Sequence, residues 1–248
     1  MSVPTAAALR PPRLWERQPQ WWLWAIAALG AGVLAAVFVA GHGSARAGHQ
    51  AHSGVDLSCA HVAAWVAMVA VMAPLITPNV RFAARRSPRR ARGSVARDVV
   101  GGWALVWLGA AVALGMGGAV LVGVLGELVA IALLTVFAVC WQYSPRKRRG
   151  LARCHAVLAP PLDRRRAARA CRAYGVALGR DCVQSCWPLM GLMAVAAHDP
   201  LVVAATVGVA WYERRRRPHH DPATRATAVV IVATGVVAIA VADLLARY

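Results

Sequence analysis

The segment CVQSCWPLM, at 182–190, carries sulfur side chains at helical spacing. On an α-helix, positions i, i+4, i+8 and i+11 lie along one stripe. Thiolates and thioethers are soft donors, which suit Cu(I) better than other biological metals. The spacing therefore predicts a soft-metal site on one helix face. The residues of this stripe are Cys182, Cys186, Met190 and Met193.

A second pair of sulfur residues, Met68 and Met72, lies one helical turn apart in another apolar segment. If the two segments cross a membrane in opposite directions, Met72 and Cys186 differ in depth by only ~5 Å. Pro74 and Pro188 cannot donate backbone hydrogen bonds, so each frees a carbonyl beside the sulfur residues. Freed backbone groups are tolerated in a membrane where they line a cavity or are buried in protein. We therefore predict that the methionine pair faces the cysteine stripe.

Packing is the alternative interpretation of the same residues. Methionine fills irregular gaps in ordinary cores, and free cysteine behaves as a small apolar residue. A disulfide between Cys182 and Cys186 is not favoured by their placement on one helix. A metal site and a simple core both remain open at this point.

Further donors form a secondary, weaker set. Imidazole suits copper or zinc, and several histidines fall on the side of the chain with few charges, where they predict a low-affinity collection point. Cys154, followed by His155, is a separate candidate on the basic side. The outer candidates are His42, His49, His52, Cys59, His61 and His198.

Composition predicts an all-α, polytopic membrane protein. Hydrophobic residues make up 59 % of the 248 residues, and charged residues make up only 15 %. Several apolar runs approach the roughly 20 residues that an α-helix needs to cross a bilayer. We predict seven spans, at 22–40, 60–77, 99–117, 122–140, 178–197, 200–213 and 226–244.

The distribution of basic residues predicts the orientation of these spans. Of 28 lysines and arginines, 26 lie in alternate connections. The positive-inside rule then places the tail 1–21 and the loop 141–177 in the cytoplasm and the C-terminus outside. The net charge of +18 thus indicates topology and contact with the lipid bilayer, and it does not indicate nucleic-acid binding. Because 27 of the 28 are arginine, a GC-rich bacterial genome and a bacterial plasma membrane are favoured.

Four local expectations concern single segments. The apolar sequence from 99 to 140 is expected to break near Gly117 and Gly118, since one helix of that length is too long for a single span. Glu127 is expected in the short external hairpin. Glu213 is expected to pair with the arginines that follow it. Residues 164–172 are expected to form a basic helix on the membrane surface.

No nucleotide-binding loop, nucleophile–base arrangement or pair of carboxylates in one span is found in the sequence. These motifs position phosphates, nucleophiles and protons in the common enzyme classes. Their absence counts against a hydrolase, a kinase or an ATP-driven pump.

The chain carries, in order, the motifs WVAMVAVMAP from Trp65 to Pro74, WQYSPRK with Gln142, Pro145 and Lys147, then Cys154, CVQSCWPLM and the acidic Glu213. This set resembles the pattern of a bacterial family of predicted metal-binding integral membrane proteins. That family carries a domain of unknown function and is sometimes labelled copper chaperone. The resemblance runs from about residue 61 to 214 and implies that the sulfur residues bind metal.

The chain departs from the family pattern at four positions. Gly150 and Ser185 stand where the pattern has cysteines. Gln184 replaces a glycine, and Trp141 replaces a tyrosine. Two thiols of the family pattern are therefore missing from this chain.

Three functions follow as hypotheses. The first is a membrane protein that binds Cu(I) and delivers it to a client metalloprotein. The second is a metal-dependent membrane oxidoreductase or one of its subunits, and the third is a structural membrane partner without metal. A Glu or His in the same cavity as the sulfurs would favour the oxidoreductase, whereas a cavity lined by sulfur alone would favour copper handling.

Overall fold

The fold is all-α, as predicted, throughout the residues that the structure describes. The computed structural model describes residues 21–46, 54–161, 163–196, 198–215 and 221–247, and these contain no β-strand. Two short 3-10 helices, Ala73–Ile76 and Arg89–Ala91, lie between longer helices. The α-helices are α1 (Trp21–Arg46), α2 (Gly54–Met72), α3 (Thr77–Arg85), α4 (Arg92–Leu125), α5 (Glu127–Gln142), α6 (Pro145–Cys154), α7 (Arg164–Val195), α8 (Pro200–Arg215) and α9 (Asp221–Arg247).

Helix α7 lies at the centre of the bundle and carries the cysteine stripe. Its first turn is capped by Asp163, whose Oδ1 accepts a hydrogen bond from the backbone N–H of Arg166 at 2.8 Å. It packs against α4, α5, α6 and α8. Between Ser185 and Met193 every residue except Trp187 is buried. The stripe therefore lies inside the protein.

Residues 164–172 are helical, as expected, but they are not a separate element, and their place on a membrane surface stays a prediction. These residues form the first turns of α7, which continues without a break to Val195. No proline lies between Arg164 and Pro188, so nothing forces the chain to leave the helix. The basic segment and the cysteine stripe thus belong to one element.

Glycines allow α4 and α7 to approach closely. A Cβ atom at Gly175 would overlap the carbonyl oxygen of Val99, and one at Gly102 would overlap the carbonyl oxygen of Arg172. Small residues at helix crossings let two backbones come into contact, as in membrane helix pairs. This contact sets the position of α7 and brings Trp103 of α4 beside Cys182.

The break between α4 and α5 lies later than expected. Helix α4 continues through Gly117 and Gly118 and ends at Leu125. Gly126 then adopts a φ of +79°, a left-handed value that side chains disfavour and that ends helices. Glu127 follows as the first residue of α5, which is the turn position expected for it.

The outer surface of the bundle is apolar along several helices. On α4, the side chains of Val112, Met116, Val120 and Val124 recur every four residues and are 64, 67, 66 and 75 % exposed. Large exposed apolar stripes mark interaction or membrane surfaces. Exposed valines and leucines also recur along α5 and α9.

Three described segments are long and apolar enough to cross a membrane: Trp21–Val39, Val62–Arg85 and Arg89–Leu125. A fourth is added if α5 and α6, which meet at a bend of 70°, form one broken span. Helix α7 is not among them, and Thr224–Ala240 is a shorter apolar stretch. These helices are compatible with membrane association, and the seven spans and their orientation stay a prediction.

Candidate metal centre

Two buried thiols meet where α6 ends against α7. The Sγ atoms of Cys154 and Cys182 lie 3.5 Å apart, and both cysteines are free and buried. The sequence pattern predicts Cys154 only as a secondary metal ligand, without a partner. The structure instead gives Cys182 a partner from another helix.

Cys186 lies one turn further along α7. Its thiol donates to the backbone carbonyl of Cys182 at 2.9 Å, and the hydroxyl of Ser185 donates to the same oxygen at 2.8 Å. Side chains on a helix lean toward its N-terminus, which turns the Cys186 thiol back toward Cys182. The third thiol therefore adjoins the pair.

Polar contacts fasten α6 to α7 beside the thiols. The Arg153 guanidinium lies 3.2 Å from the Asp181 carboxylate and also donates to the side chain of Gln184 at 3.3 Å. A Cβ at Gly150 would lie 3.1 Å from the carbonyl of Asp181 and 3.5 Å from the Cβ of Ser185. The two positions that lack the family's cysteines are thus neighbours, and both lie within one helical turn of the thiol pair in sequence.

A hydrogen-bond network centred on Asn79 holds the end of α6. Its amide donates to the carbonyl oxygens of Cys154 and Ala156 at 3.1 and 2.9 Å. The guanidinium of Arg214 donates to the amide oxygen of Asn79 and to the carbonyl of Leu75, the latter at 2.9 Å. Tyr174 donates to the carbonyl of Ala156 at 2.7 Å. Cys154 is therefore positioned from α3, α7 and α8 together.

The electrostatic surroundings keep the Cys154 thiol protonated. The hydrogen bond with Cys182 raises the pKa of the Cys154 thiol far above its ordinary value, and burial raises it further. The positive charge of Arg214 acts in the opposite direction. Burial disfavours the thiolate in the absence of a compensating cation. A bound metal ion would supply that cation.

A buried ion pair lies next to Cys186. The Nζ atom of Lys147 lies 2.8 Å from the carboxylate of Glu213, and their side chains are only 2 and 9 % exposed. Both charges lie within electrostatic reach of the Cys186 thiol. Gln142 is buried beside the pair. Gln142 and Lys147 of the WQYSPRK motif thus lie beside Glu213, the acidic residue of the family pattern.

The expected pairing of Glu213 with the arginines that follow it is not found for Arg214 and Arg215, and Arg216 and Arg217 lie outside the described residues. Arg214 turns to Asn79 and Leu75, and the Arg215 guanidinium stacks over the ring of Trp211 at 4.5 Å. Helix α6 instead brings Lys147 to the carboxylate. A pairing between distant helices cannot be predicted from residues that are neighbours in the sequence.

The carbonyl freed by Pro188 has a partner. Pro188 lies within α7, and the indole Nε1 of Trp141 donates to the carbonyl oxygen of Gln184 at 3.2 Å. Trp141 and Trp187 contact each other edge to face, with ring centroids 5.6 Å apart. Trp141 of α5 thus satisfies the freed carbonyl of α7, two residues from Cys182 in sequence.

The methionines share the core of the thiols. Met68, Met72, Met190 and Met193 are all fully buried in the apolar cluster that contains the three cysteines. The main neighbour of α7 is α4 rather than α2. The direct approach of Met68 and Met72 to the thiols stays a prediction.

The outer donor set is described only in part. His49 and His52 lie outside the described residues, and so do the side chains of His42, Cys59 and His61. His198 is buried, and its ring contacts Trp65 edge to face at 5.0 Å. Among the side chains that the structure describes, no three or more His, Cys, Asp or Glu residues form a group arranged to hold a metal ion.

Fold and site together define an all-α protein whose core holds adjacent free thiols beside a buried ion pair. A family model named PpoB2, described as copper chaperone, matches residues 62–238. The match covers more than half of the chain, and the chain belongs to this family. Comparisons with curated proteins and with solved structures gave no match.

Proposed function

We propose that this chain is a membrane-embedded copper chaperone that binds Cu(I) between Cys154 and Cys182 and delivers it to a client metalloprotein. The observation that carries the proposal is the 3.5 Å distance between the two Sγ atoms. Two soft donors from different helices converge there in a buried position, in a member of a family described as copper chaperone. Thiolate is among the donors that select Cu(I).

Charge balance supports this cargo. Both thiols must lose their protons when they bind a metal ion. Two thiolates and one Cu(I) ion carry a net charge of −1, and Arg214 lies within electrostatic reach of both sulfurs. One guanidinium therefore offsets the charge of the loaded site, which would otherwise be costly to bury.

Release requires a further donor near the bound ion. Cys186 adjoins the pair, and Met190 lies one turn beyond it on the same stripe. We expect the thiolates to supply most of the affinity because they are charged. The thioethers of Met190, Met193, Met68 and Met72 act as weaker ligands during uptake or transfer.

Membrane embedding is the second part of the proposal. The apolar stripe on the outside of α4 and the alternating distribution of basic residues both support it. An exposed stripe of this size would be costly in water, whereas lipid chains can cover it. The predicted topology places Cys182 near the cytoplasmic end of its span and Cys154 in the cytoplasmic loop 141–177, so the thiol pair would lie at the inner face of the bacterial plasma membrane.

Cu(I) titration of the purified chain in detergent, against a competing chromophoric chelator, tests the copper site. Cys154→Ser and Cys182→Ser should each abolish tight binding, and Cys186→Ser should weaken it partially. Cys171→Ser is the matched control, since Cys171 is a buried free cysteine on the same helix. If the Cys154→Ser/Cys182→Ser double variant still binds one equivalent with unchanged affinity, the thiols are only core packing.

A metal-dependent oxidoreductase is the second candidate, favoured by one observation. The carboxylate of Glu213 lies within electrostatic reach of Cys186, so the surroundings of the thiols include more than sulfur. Its pairing with Lys147 offsets its charge and favours a structural role. A stable Cu(II) paramagnetic signal after oxidation of the copper-loaded protein would favour the enzyme, because sulfur donors disfavour Cu(II).

A further inference from the structure

Two adjoining cavities form one groove on the bundle, bounded by α1, α3 and α8. The first, of about 700 Å³, is almost entirely apolar, and the second, of about 560 Å³, is rich in arginine. Trp24, Pro74, Leu75 and Trp211 line both cavities. We call this continuous cleft the Trp24 groove.

The apolar end of the Trp24 groove is lined by small side chains. Ala31 and Ala35 come from α1, and Ala204 and Val207 come from α8. Gly208 lines the same end, and a side chain built there would meet no atom within 4 Å. The small side chains at these positions leave a channel open between two helices, of a size common for small-molecule sites, about 300–1,000 Å³.

The other end of the Trp24 groove is strongly cationic. Arg81 and Arg85 lie one turn apart on α3, so they project from the same face. Arg86 lies over the ring of Phe82 at 5.4 Å, and Arg215 lies over the ring of Trp211 at 4.5 Å. The ion pairs between described residues use Lys147, Arg153 and Arg172, so they leave these four arginines for another anion.

Like charges gathered in one cleft repel each other, and a phosphate relieves the repulsion. Guanidinium groups bind phosphate oxygens through paired, charge-assisted hydrogen bonds. The ring of Trp24 meets Trp211 edge to face at 5.5 Å, where the cationic and apolar ends join. In membrane proteins, tryptophan is enriched at the interface between lipid headgroups and acyl chains. The cationic end, the apolar end and the tryptophan pair between them therefore match an amphiphile with one anionic end.

We propose that the Trp24 groove binds one anionic phospholipid of the cytoplasmic leaflet, with its phosphate at the arginines and an acyl chain along α1 and α8. The inference rests on the membrane part of the proposed function and is independent of the copper site. The cytoplasmic leaflet is rich in anionic lipid, and the arginines of the groove lie on the predicted cytoplasmic side.

Native mass spectrometry of the full chain, delipidated in neutral detergent, tests the proposal. Phosphatidylglycerol should be retained at one per protein, and phosphatidylcholine should bind at least about tenfold more weakly, because the arginines repel the choline cation beside its phosphate. Arg81→Gln/Arg85→Gln/Arg86→Gln should remove this preference. The control Arg89→Gln/Arg90→Gln/Arg97→Gln removes the same charge from exposed positions outside the groove and should keep it.

Gly208→Leu tests the apolar end. The side chain enters open space, so the protein should fold normally while retention of both lipids falls. Inorganic phosphate should not displace phosphatidylglycerol, because a phosphate ion cannot fill the apolar end.

Equal retention of the two lipids would overturn the proposal, and so would full displacement by phosphate. A protein dimer that disappears in the Gly208→Leu variant would overturn it in favour of a second copy of the chain. Parallel Cu(I) titration separates the two proposals. If the unmodified chain binds Cu(I) but shows no lipid preference, only the groove proposal fails. If it shows the lipid preference but binds no Cu(I), only the copper site fails.

Discussion

At the scale of single residues, the site depends on pairings between distant positions. Cys154 meets Cys182, Lys147 meets Glu213, and the carbonyl of Gln184 meets Trp141. Each pair joins a residue of α5, α6 or α8 to its partner elsewhere in the bundle. The thiols themselves make few polar contacts, so the surrounding charges and carbonyl groups fix their environment.

Breaking the buried ion pair should destabilise the whole bundle. Lys147→Met leaves the Glu213 carboxylate buried without its cation, which should cost about 3–5 kcal/mol. Lys147→Met/Glu213→Gln should recover most of that loss, because both charges are then absent. Arg153→Gln is the control. The Arg153 side chain, which pairs with Asp181, is exposed, so loss of this ion pair should cost at most about 1 kcal/mol. Thermal unfolding in detergent measures all three, and equal losses for both single variants would contradict the argument.

At the scale of elements, α7 is held against α4 by glycine and against α6 by the polar contacts around Arg153 and Gln184. The glycine contact places Trp103 beside Cys182. The α6 contact brings Cys154 to the same thiol. The geometry of the site is therefore set by two helix interfaces, and neither can shift without moving one thiol or its neighbours.

Gly175→Ala should separate α4 from α7. The added Cβ overlaps the carbonyl oxygen of Val99, and overpacking of this kind costs about 1–3 kcal/mol. The Tm should fall, and Cu(I) affinity should weaken because Trp103 and Cys182 move apart.

Gly101→Ala is the matched control for this substitution. A Cβ there meets no atom within 4 Å, and alanine is favoured over glycine within a helix by about 1 kcal/mol. The Tm should stay level or rise. A Gly175→Ala protein with unchanged Tm and unchanged copper affinity would show that the close approach of α4 and α7 is unimportant.

At the scale of the whole molecule, polar groups lie in the core and apolar side chains lie on the outer faces of several helices. The core holds thiols, amides and an ion pair, while the outer faces of α4, α5 and α9 expose valine and leucine. This arrangement suits a protein whose surroundings are apolar. In the predicted topology, the basic residues at the ends of the helices set the orientation.

The predicted topology can be tested with thiols engineered at two exposed positions in a Cys59→Ser/Cys140→Ser background, because Cys59 lies on the predicted outer side and Cys140 is exposed. Glu127→Cys, at the turn before α5, should react with a membrane-impermeant maleimide in intact cells. Arg90→Cys, in the basic connection before α4, should react only after the cells are opened. Both sites are exposed in the structure, so a difference in labelling reports the membrane and not burial. Labelling at position 90 in intact cells would refute the orientation.

The sequence alone determined the fold class, the alternation of charge and the stripe of sulfur residues on α7. These properties follow from composition and from the helical period, which depend on residues within a few turns of one another. The position of the α4–α5 break was misjudged because Gly117 and Gly118 and the true terminator Gly126 look alike in sequence. Only the backbone conformation at Gly126, with φ at +79°, separates them.

The tertiary structure alone decided which residues share the candidate site. Cys154 comes within reach of Cys182 because α5 and α6 meet at 70° and α6 then lies along α7. That bend also carries Lys147 to Glu213, which neighbouring arginines were expected to hold. The positions of residues in the sequence do not predict such contacts, because these depend on the packing of several helices. Local periodicity therefore predicted the helices and their sulfur stripe, and long-range packing assembled the thiol pair.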